Sequence, residues 1–66
     1  MVNCERIKAA RISAGLTQQQ LGIMLGLPKE TAQRNVSRWE SGIRPVPKNK
    51  IISLMEILGL EITDLL

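Results

Sequence analysis

Apolar residues recur along this chain at intervals of three and four positions, and glycine or proline interrupts each run. The runs cover about 3–14, 17–25, 28–41 and 48–58. Spacing of i, i+3, i+4 and i+7 is typical of helices that bury one face. No run alternates apolar and polar residues as a half-buried strand does. The pattern therefore predicts an all-α fold of four helices, followed by a short fifth helical turn over 61–66.

The first and fourth runs are predicted to form helices that each bury one apolar stripe. Asn3 precedes the first run, and an Asn side chain is a favoured N-cap. The stripe of the first helix is predicted to comprise Ile7, Ala10 and Ala14. The stripe of the fourth helix is predicted to comprise Ile51, Leu54, Met55 and Leu58.

The second run carries a signal for where its helix begins. Thr17 followed by Gln20 has the spacing of a capping box, so this helix should cover about 17–25. Its inward residues would be Leu21 and Leu25. Gly22 lies inside the helix and costs roughly 1 kcal/mol relative to Ala. We therefore expect another helix to pack very close at this glycine.

The third run has two sharply different faces and predicts a helix over about 28–41. Pro28 suits the first turn of a helix, where a missing N–H does no harm. The predicted core stripe contains Pro28 together with Ala32, Val36 and Trp39. The opposite face carries only polar and charged side chains, which are Glu30, Gln33, Arg34, Ser37, Arg38 and Ser41.

The second and third runs together have the pattern of a helix-turn-helix, with a tight glycine turn and outward polar and basic residues on the second helix. Such a helix fits the major groove of duplex DNA, where Arg pairs with guanine and Gln with adenine. In this motif the N-terminus of the preceding helix faces phosphate, which makes Thr17 and Gln18 candidate phosphate contacts. The candidate base-reading residues are Gln33, Arg34, Ser37 and Arg38.

Four sequence elements occur in an order that resembles the Cro/C1-type helix-turn-helix family of phage repressors and small bacterial regulators. They are GLTQQQLG at 15–22, GL at 26–27, VSRWESG at 36–42 and RP at 44–45. The resemblance implies a single lambda-repressor-like DNA-binding domain over 1–66, folded as a compact four- to five-helix bundle. It implies a homodimer on a palindromic operator. It also implies a structural ion pair between Arg11 and Glu40.

The sequence departs from the family pattern in two places. The family usually has Ala where Gly22 stands. The spacing from Gly26 to Trp39 is 13 residues, about four more than usual, and four residues are close to one helical turn. The extra residues either extend the recognition helix at its N-terminal end or lengthen the turn before it. Under either alternative Gln33, Arg34 and Arg38 stay base-reading candidates, whereas the roles of Lys29 and Glu30 are left open. For Glu30 the alternatives are contact with a cytosine and a position in solvent, and we expect the position in solvent.

The charge distribution favours a polyanion as partner. The formal charge is +3 overall, with +2 in residues 1–27, +4 in 28–50 and −3 in 51–66. Aromatic residues make up 2% of the chain, which is too few for the base stacking used on single strands, so duplex DNA is favoured. Further candidate phosphate contacts near loops and helix starts are Lys29, Arg44, Lys48 and Lys50.

Composition argues against several other classes of protein. The 66 residues suffice for one domain. Cys4 is the single cysteine and there is no histidine, so we expect no disulfide, metal site, cofactor or enzyme activity. No apolar run approaches the roughly 18 residues that span a membrane, and the N-terminus lacks the apolar core of a signal peptide. We expect a cytoplasmic protein.

Several apolar residues fall off the predicted core stripes. Ile23 and Met24 are either covered by the extra turn of the third helix or contact a partner. Exposed apolar side chains on a small domain suit a two-fold interface. The candidate dimer contacts are Ile52, Ile57 and Leu66.

These observations predict a sequence-specific transcriptional regulator of duplex DNA, a repressor of the kind found in prophages. The alternative is an antitoxin or another partner-binding protein with the same fold. Antitoxins often carry an extra segment for the toxin, whereas this chain ends soon after the predicted domain, which favours the regulator.

Overall fold

The computed structural model describes residues 4–61 and 63, and within these it contains α-helices and no strand. The prediction of an all-α fold is confirmed. Asn3 and most of the predicted turn over 61–66 lie outside the described residues. The helices, in chain order, are α1 (Cys4–Ser13), α2 (Gln18–Met24), α3 (Lys29–Glu40) and α4 (Lys48–Leu58).

Every helix contributes to one small hydrophobic core. Trp39 of α3 is buried, as are Val36 and Ala32 on the same stripe. Burying a side chain of the size of Val or Leu stabilises the fold by about 1.5–3 kcal/mol. Val46, from the loop between α3 and α4, also lies in the core. Among the residues that the structure describes, the buried cluster consists of Ile7, Leu21, Leu25, Val36, Trp39, Val46 and Leu54.

Two residues predicted to face the core are exposed instead, and both lie just outside a helix. Ala14 is exposed because α1 ends at Ser13, so the chain has already left the helical stripe. Pro28 is exposed because it precedes the first residue of α3 as its N-cap. The prediction from helical periodicity was therefore wrong at these two positions, because one follows the last residue of a helix and the other precedes the first.

The predicted capping box at the start of α2 is confirmed. The Thr17 hydroxyl oxygen accepts a hydrogen bond from the Gln20 backbone N–H at 3.0 Å. The Gln20 side-chain oxygen in turn accepts from the Thr17 backbone N–H at 2.8 Å. Two N–H groups that a helix start leaves without helical partners are thereby satisfied.

The turn between α2 and α3 is short. Gly26 has φ +86°, a backbone conformation that glycine adopts without steric cost. The Leu27 N–H donates to the Gly22 carbonyl at 3.0 Å, and the Pro28 carbonyl accepts from Ala32 N–H at 2.9 Å as α3 begins. Lys29, Glu30 and Thr31 therefore lie inside α3, which has 12 residues, and Pro28 directly precedes the helix as its N-cap.

The helices α2 and α3 touch at Gly22 and Ala32. A Cβ atom added to Gly22 would lie 2.6 Å from Ala32 Cβ, 2.8 Å from Ala32 Cα and 2.9 Å from the Ala32 carbonyl oxygen. Two of these three atoms belong to the backbone of α3, so side-chain rotation cannot relieve the overlap. The glycine that the sequence placed inside a short helix is explained by this close approach.

We expect Gly22→Ala to destabilise the protein by about 1–3 kcal/mol, the usual cost of overpacking a core. At an open helix position, Gly→Ala would stabilise the protein by about 1 kcal/mol. The contact with Ala32 therefore changes the expected effect from stabilising to destabilising. Urea unfolding of the variant measures the difference. Ala9→Gly at an exposed position of α1 calibrates the helix-propensity term in the same protein. A Gly22→Ala variant more stable than the parent would contradict the close contact.

Candidate nucleic-acid interface

One face of α3 is buried and the opposite face is open. At 3.6 residues per turn, Glu30, Arg34 and Ser37 lie opposite the stripe that contains Ala32. Among the predicted base-reading residues, Gln33 and Arg34 are exposed, whereas Ser37 and Arg38 are half-buried. The outward face therefore offers an amide, a guanidinium and a hydroxyl along one helix.

Two shallow grooves join the outward side of α3 to the start of α2. The first, of about 410 Å³, brings Gln33 together with the start of α2 and is lined by Arg11, Leu16, Thr17, Gln18, Gln19 and Gln33. The second, of about 220 Å³, is lined by Lys8, Gln18, Ser37, Glu40 and Ser41. Gln18 borders both grooves. We call the area formed by Thr17, Gln18, Gln33 and Ser37 the α2/α3 surface.

An ion pair lies at the base of the α2/α3 surface. Arg11 Nε donates to Glu40 Oε2 at 2.6 Å, and Arg11 Nη2 donates to Glu40 Oε1 at 3.2 Å. The two side chains are 12% and 3% exposed. Arg11 Nη1 also donates to the Leu16 carbonyl at 2.8 Å. The guanidinium therefore connects α1, the loop that follows it and the end of α3.

Gln18 extends this network to α2. Its Nε2 donates to Glu40 Oε1 at 3.2 Å. Since an amide nitrogen carries two hydrogens, one remains for a further acceptor. Gln18, predicted as a phosphate contact, is thus held in place by the same carboxylate that holds Arg11.

The other predicted phosphate contacts do not all lie near this surface. Thr17 is exposed, and its hydroxyl accepts from Gln20 while its own hydrogen can donate elsewhere. Lys29, Arg44 and Lys48 are exposed and line neither groove.

Lys50 is turned toward the protein. Its ammonium donates to the Leu25 carbonyl at 2.8 Å, at the C-terminal end of α2. A cation is favourable there because the helix dipole places partial negative charge on those carbonyls. Since α2 has seven residues, this end lies about 10 Å along the helix from its start. Lys50 thereby connects α4 to the turn of the helix-turn-helix.

Two residues of the grooves were not predicted from the sequence. Lys8 lines the second groove with Ser37 and Ser41, and Gln19 lines the first groove with Gln33. Lys8 stands three residues before Arg11, on the same side of α1. The pairing of Arg11 with Glu40 was a signal that this side of α1 faces the end of α3.

The apolar residues outside the core differ in their surroundings. Ile52 is 64% exposed, whereas Ile57 is half-buried and packs against the core. Leu66, the third predicted dimer contact, lies outside the described residues. Ile23 and Met24 are 47% and 54% exposed, so the extra turn of α3 does not cover them. That turn packs on the side of α2 that carries Gly22.

The sequence and the fold identify the class of protein. The helix-turn-helix family model matches residues 7–65, and the chain belongs to this Cro/C1-type family of DNA-binding regulators. The resemblance read from the sequence is thereby confirmed. Comparisons with curated proteins and with solved structures give no match. None of the helices in the described part of the chain has the length and apolar character needed to cross a membrane.

Lys48 and Lys50 allow two roles to be compared by the same substitution. Lys48 is exposed and is a candidate phosphate contact, whereas Lys50 supports the turn between α2 and α3. We expect Lys50→Ala to lower the free energy of unfolding by about 0.5–1.5 kcal/mol through its lost hydrogen bond, without changing the salt dependence of DNA binding. Lys48→Ala should leave unfolding unchanged and reduce the slope of log K against log salt by about 0.9, for one phosphate. Urea unfolding and binding titrations at several salt concentrations measure both. Equal losses of slope in the two variants would contradict the distinction.

Proposed function

We propose that the protein is a sequence-specific repressor that binds duplex DNA as a homodimer on a palindromic operator. The observation that carries this proposal is the open outward face of α3, which stands beside the start of α2 across one continuous surface. A major groove about 12 Å wide accepts a helix with its side chains. In this position α3 lies in the groove and the start of α2 lies over the phosphate backbone.

The exposed side chains of α3 have the chemistry that base edges require. Arg34 donates two hydrogen bonds to the O6 and N7 of guanine. Gln33 donates from its amide nitrogen to the N7 of adenine and accepts at its amide oxygen from the N6 amino group. Both side chains are exposed, so binding does not require either to leave the core. Arg38 and Ser37 are half-buried and reach a base or a phosphate nearer the end of α3.

Backbone contacts set affinity and register in this account. Thr17 and Gln18 face the DNA backbone at the start of α2, and Gln18 is oriented by Glu40. The excess of positive charge in residues 28–50 attracts phosphate without regard to sequence. Affinity therefore falls steeply as salt rises.

Two-fold pairing doubles the contacts that one small module makes. Each copy reads one half-site, and the spacing of the half-sites follows the geometry of the dimer. Exposed Ile52 on α4 is a candidate for the interface between the two copies. Ile57 contributes less, because the core of its own chain already covers part of its side chain.

A partner-binding role, such as that of an antitoxin, is the second candidate. The observation that favours it is the neighbouring pair Ile23 and Met24, both exposed on α2 and outside the α2/α3 surface. Co-purification with a defined protein, lost on Met24→Lys and kept on Arg34→Ala, would support this role.

Selection from a random duplex DNA library, followed by sequencing, tests the proposed function. We expect the parent protein to enrich an inverted repeat. We expect Arg34→Ala to lose about 1–3 kcal/mol of specific affinity and to relax the preference at one base position in each half-site. An Arg34→Ala variant that enriches the parent's site unchanged would refute the assignment of Arg34. A folded parent protein that enriches no sequence would refute specific recognition.

A further inference from the structure

The outward face of α3 begins with a carboxylate. Glu30 is exposed in the first turn, four residues before Arg34 and on the same line of the helix. Within the described part of the chain, neither side chain makes a hydrogen bond or an ion pair. A negative charge therefore stands free at one end of a face that is otherwise polar or basic.

The turn that carries Glu30 is held firmly against α2. Ala32 lies in this turn, is fully buried and touches Gly22 through its backbone as well as its Cβ atom. The Pro28 carbonyl accepts hydrogen bonds from the N–H groups of both Thr31 and Ala32, at 3.1 and 2.9 Å. The first turn of α3 is thus part of the packed core, and Glu30 projects from a fixed backbone.

A helix start by itself gives Glu30 a simple structural role. A carboxylate there interacts favourably with the positive end of the helix dipole. That role does not depend on which face of the helix carries the charge. Position on the outward face has an additional consequence, because the N-terminal residues of a recognition helix are those that contact base edges.

The chemistry of the major groove limits what a carboxylate can contact. An ionised carboxylate only accepts hydrogen bonds. The donors on base edges in the groove are the N4 amino group of cytosine and the N6 amino group of adenine, whereas guanine and thymine present acceptors. Phosphate is also negative and repels the carboxylate. An unpaired Glu on this face therefore stabilises the complex when it meets an amino group, and it destabilises the complex when it meets a base-edge acceptor or a phosphate.

We propose that Glu30 is a specificity-determining residue that accepts a hydrogen bond from the N4 amino group of a cytosine. The cytosine lies near the base that Arg34 reads, since four residues of helix span about 6 Å and base pairs are spaced about 3.4 Å apart. Glu30 also lowers affinity for DNA that lacks this cytosine. This inference rests on the proposed function, because it requires α3 to lie in the major groove.

The experiment compares library selections for the parent protein and for Glu30→Gln, Glu30→Ala and Glu56→Gln. Glu56 is exposed on α4, so Glu56→Gln makes the same change of charge away from the outward face of α3. We expect the parent site to contain a cytosine preferred about tenfold at one position near that of Arg34. Glu30→Gln should change this preference to adenine, and Glu30→Ala should remove it. Glu56→Gln should retain the parent site.

A second measurement separates base reading from the structural role of Glu30. Non-specific affinity, measured on a duplex without the selected site, should rise several-fold in Glu30→Gln and less in Glu56→Gln. Of these two residues, only Glu30 lies on the helix face that meets the DNA, where its charge is repelled by phosphate. Loss of a helix-dipole interaction alone would change thermal unfolding and leave base preference unchanged.

The outcomes distinguish this inference from the proposed function. A parent site that all three variants retain would overturn the role of Glu30 and leave specific DNA binding intact. A parent protein that enriches no site would overturn both. Conversion of one cytosine position to adenine by Glu30→Gln, with the Arg34 position unchanged, would establish the contact.

Discussion

The contact between α2 and α3 at Gly22 and Ala32 sets the geometry on which the rest of the site depends. Without a Cβ atom at Gly22, the backbones of the two helices meet directly. The short helix α2 then carries the longer α3 at a fixed distance and angle. Because packed interiors deform little, the extra turn of α3 is positioned as firmly as the rest of the helix. The outward face gains length without losing rigidity.

Polar interactions hold the same two helices at their other ends. Arg11 and Glu40 join α1 to the end of α3, and Gln18 joins the start of α2 to the same carboxylate. Lys50 ties the end of α2 to α4. Buried ion pairs add little net stability, because desolvation offsets much of the attraction. Here they contribute orientation, because the Glu40 carboxylate at the end of α3 binds both Arg11 of α1 and Gln18 of α2.

The sequence predicted features that depend on neighbours along the chain. The periodicity of the fourth segment and the Thr17–Gln20 capping box both rest on local spacing. The same reasoning failed at Ala14 and Pro28, because the stripe continues in the sequence where the helix does not. The spacing from Gly26 to Trp39 left two alternatives open, and a short hydrogen-bonded turn decided between them.

Features that depend on tertiary contacts could not be predicted from local sequence patterns. Gly22 indicated close packing but not its partner, which is set by how α3 lies across α2. Lys48 and Lys50 are both lysines in the first turn of α4, so the sequence predicted the same role for both. Their roles differ because only Lys50 donates a hydrogen bond to the Leu25 carbonyl. Lys8 joined the candidate site through the packing of α1 against the end of α3. The outward face of α3, in contrast, could be predicted from the sequence, because the spacing of residues within one helix determines which side chains share a face.

The most direct test of the account is a ¹⁵N–¹H NMR titration of the protein with duplex DNA. Specific binding through α3 predicts the largest amide shifts at residues 17–18 and along 30–38, with small shifts in the second half of α4. Shifts concentrated at Ile23, Met24 and α4, with Gln33 and Arg34 unmoved, would contradict the account. They would show that a different face of the molecule meets DNA.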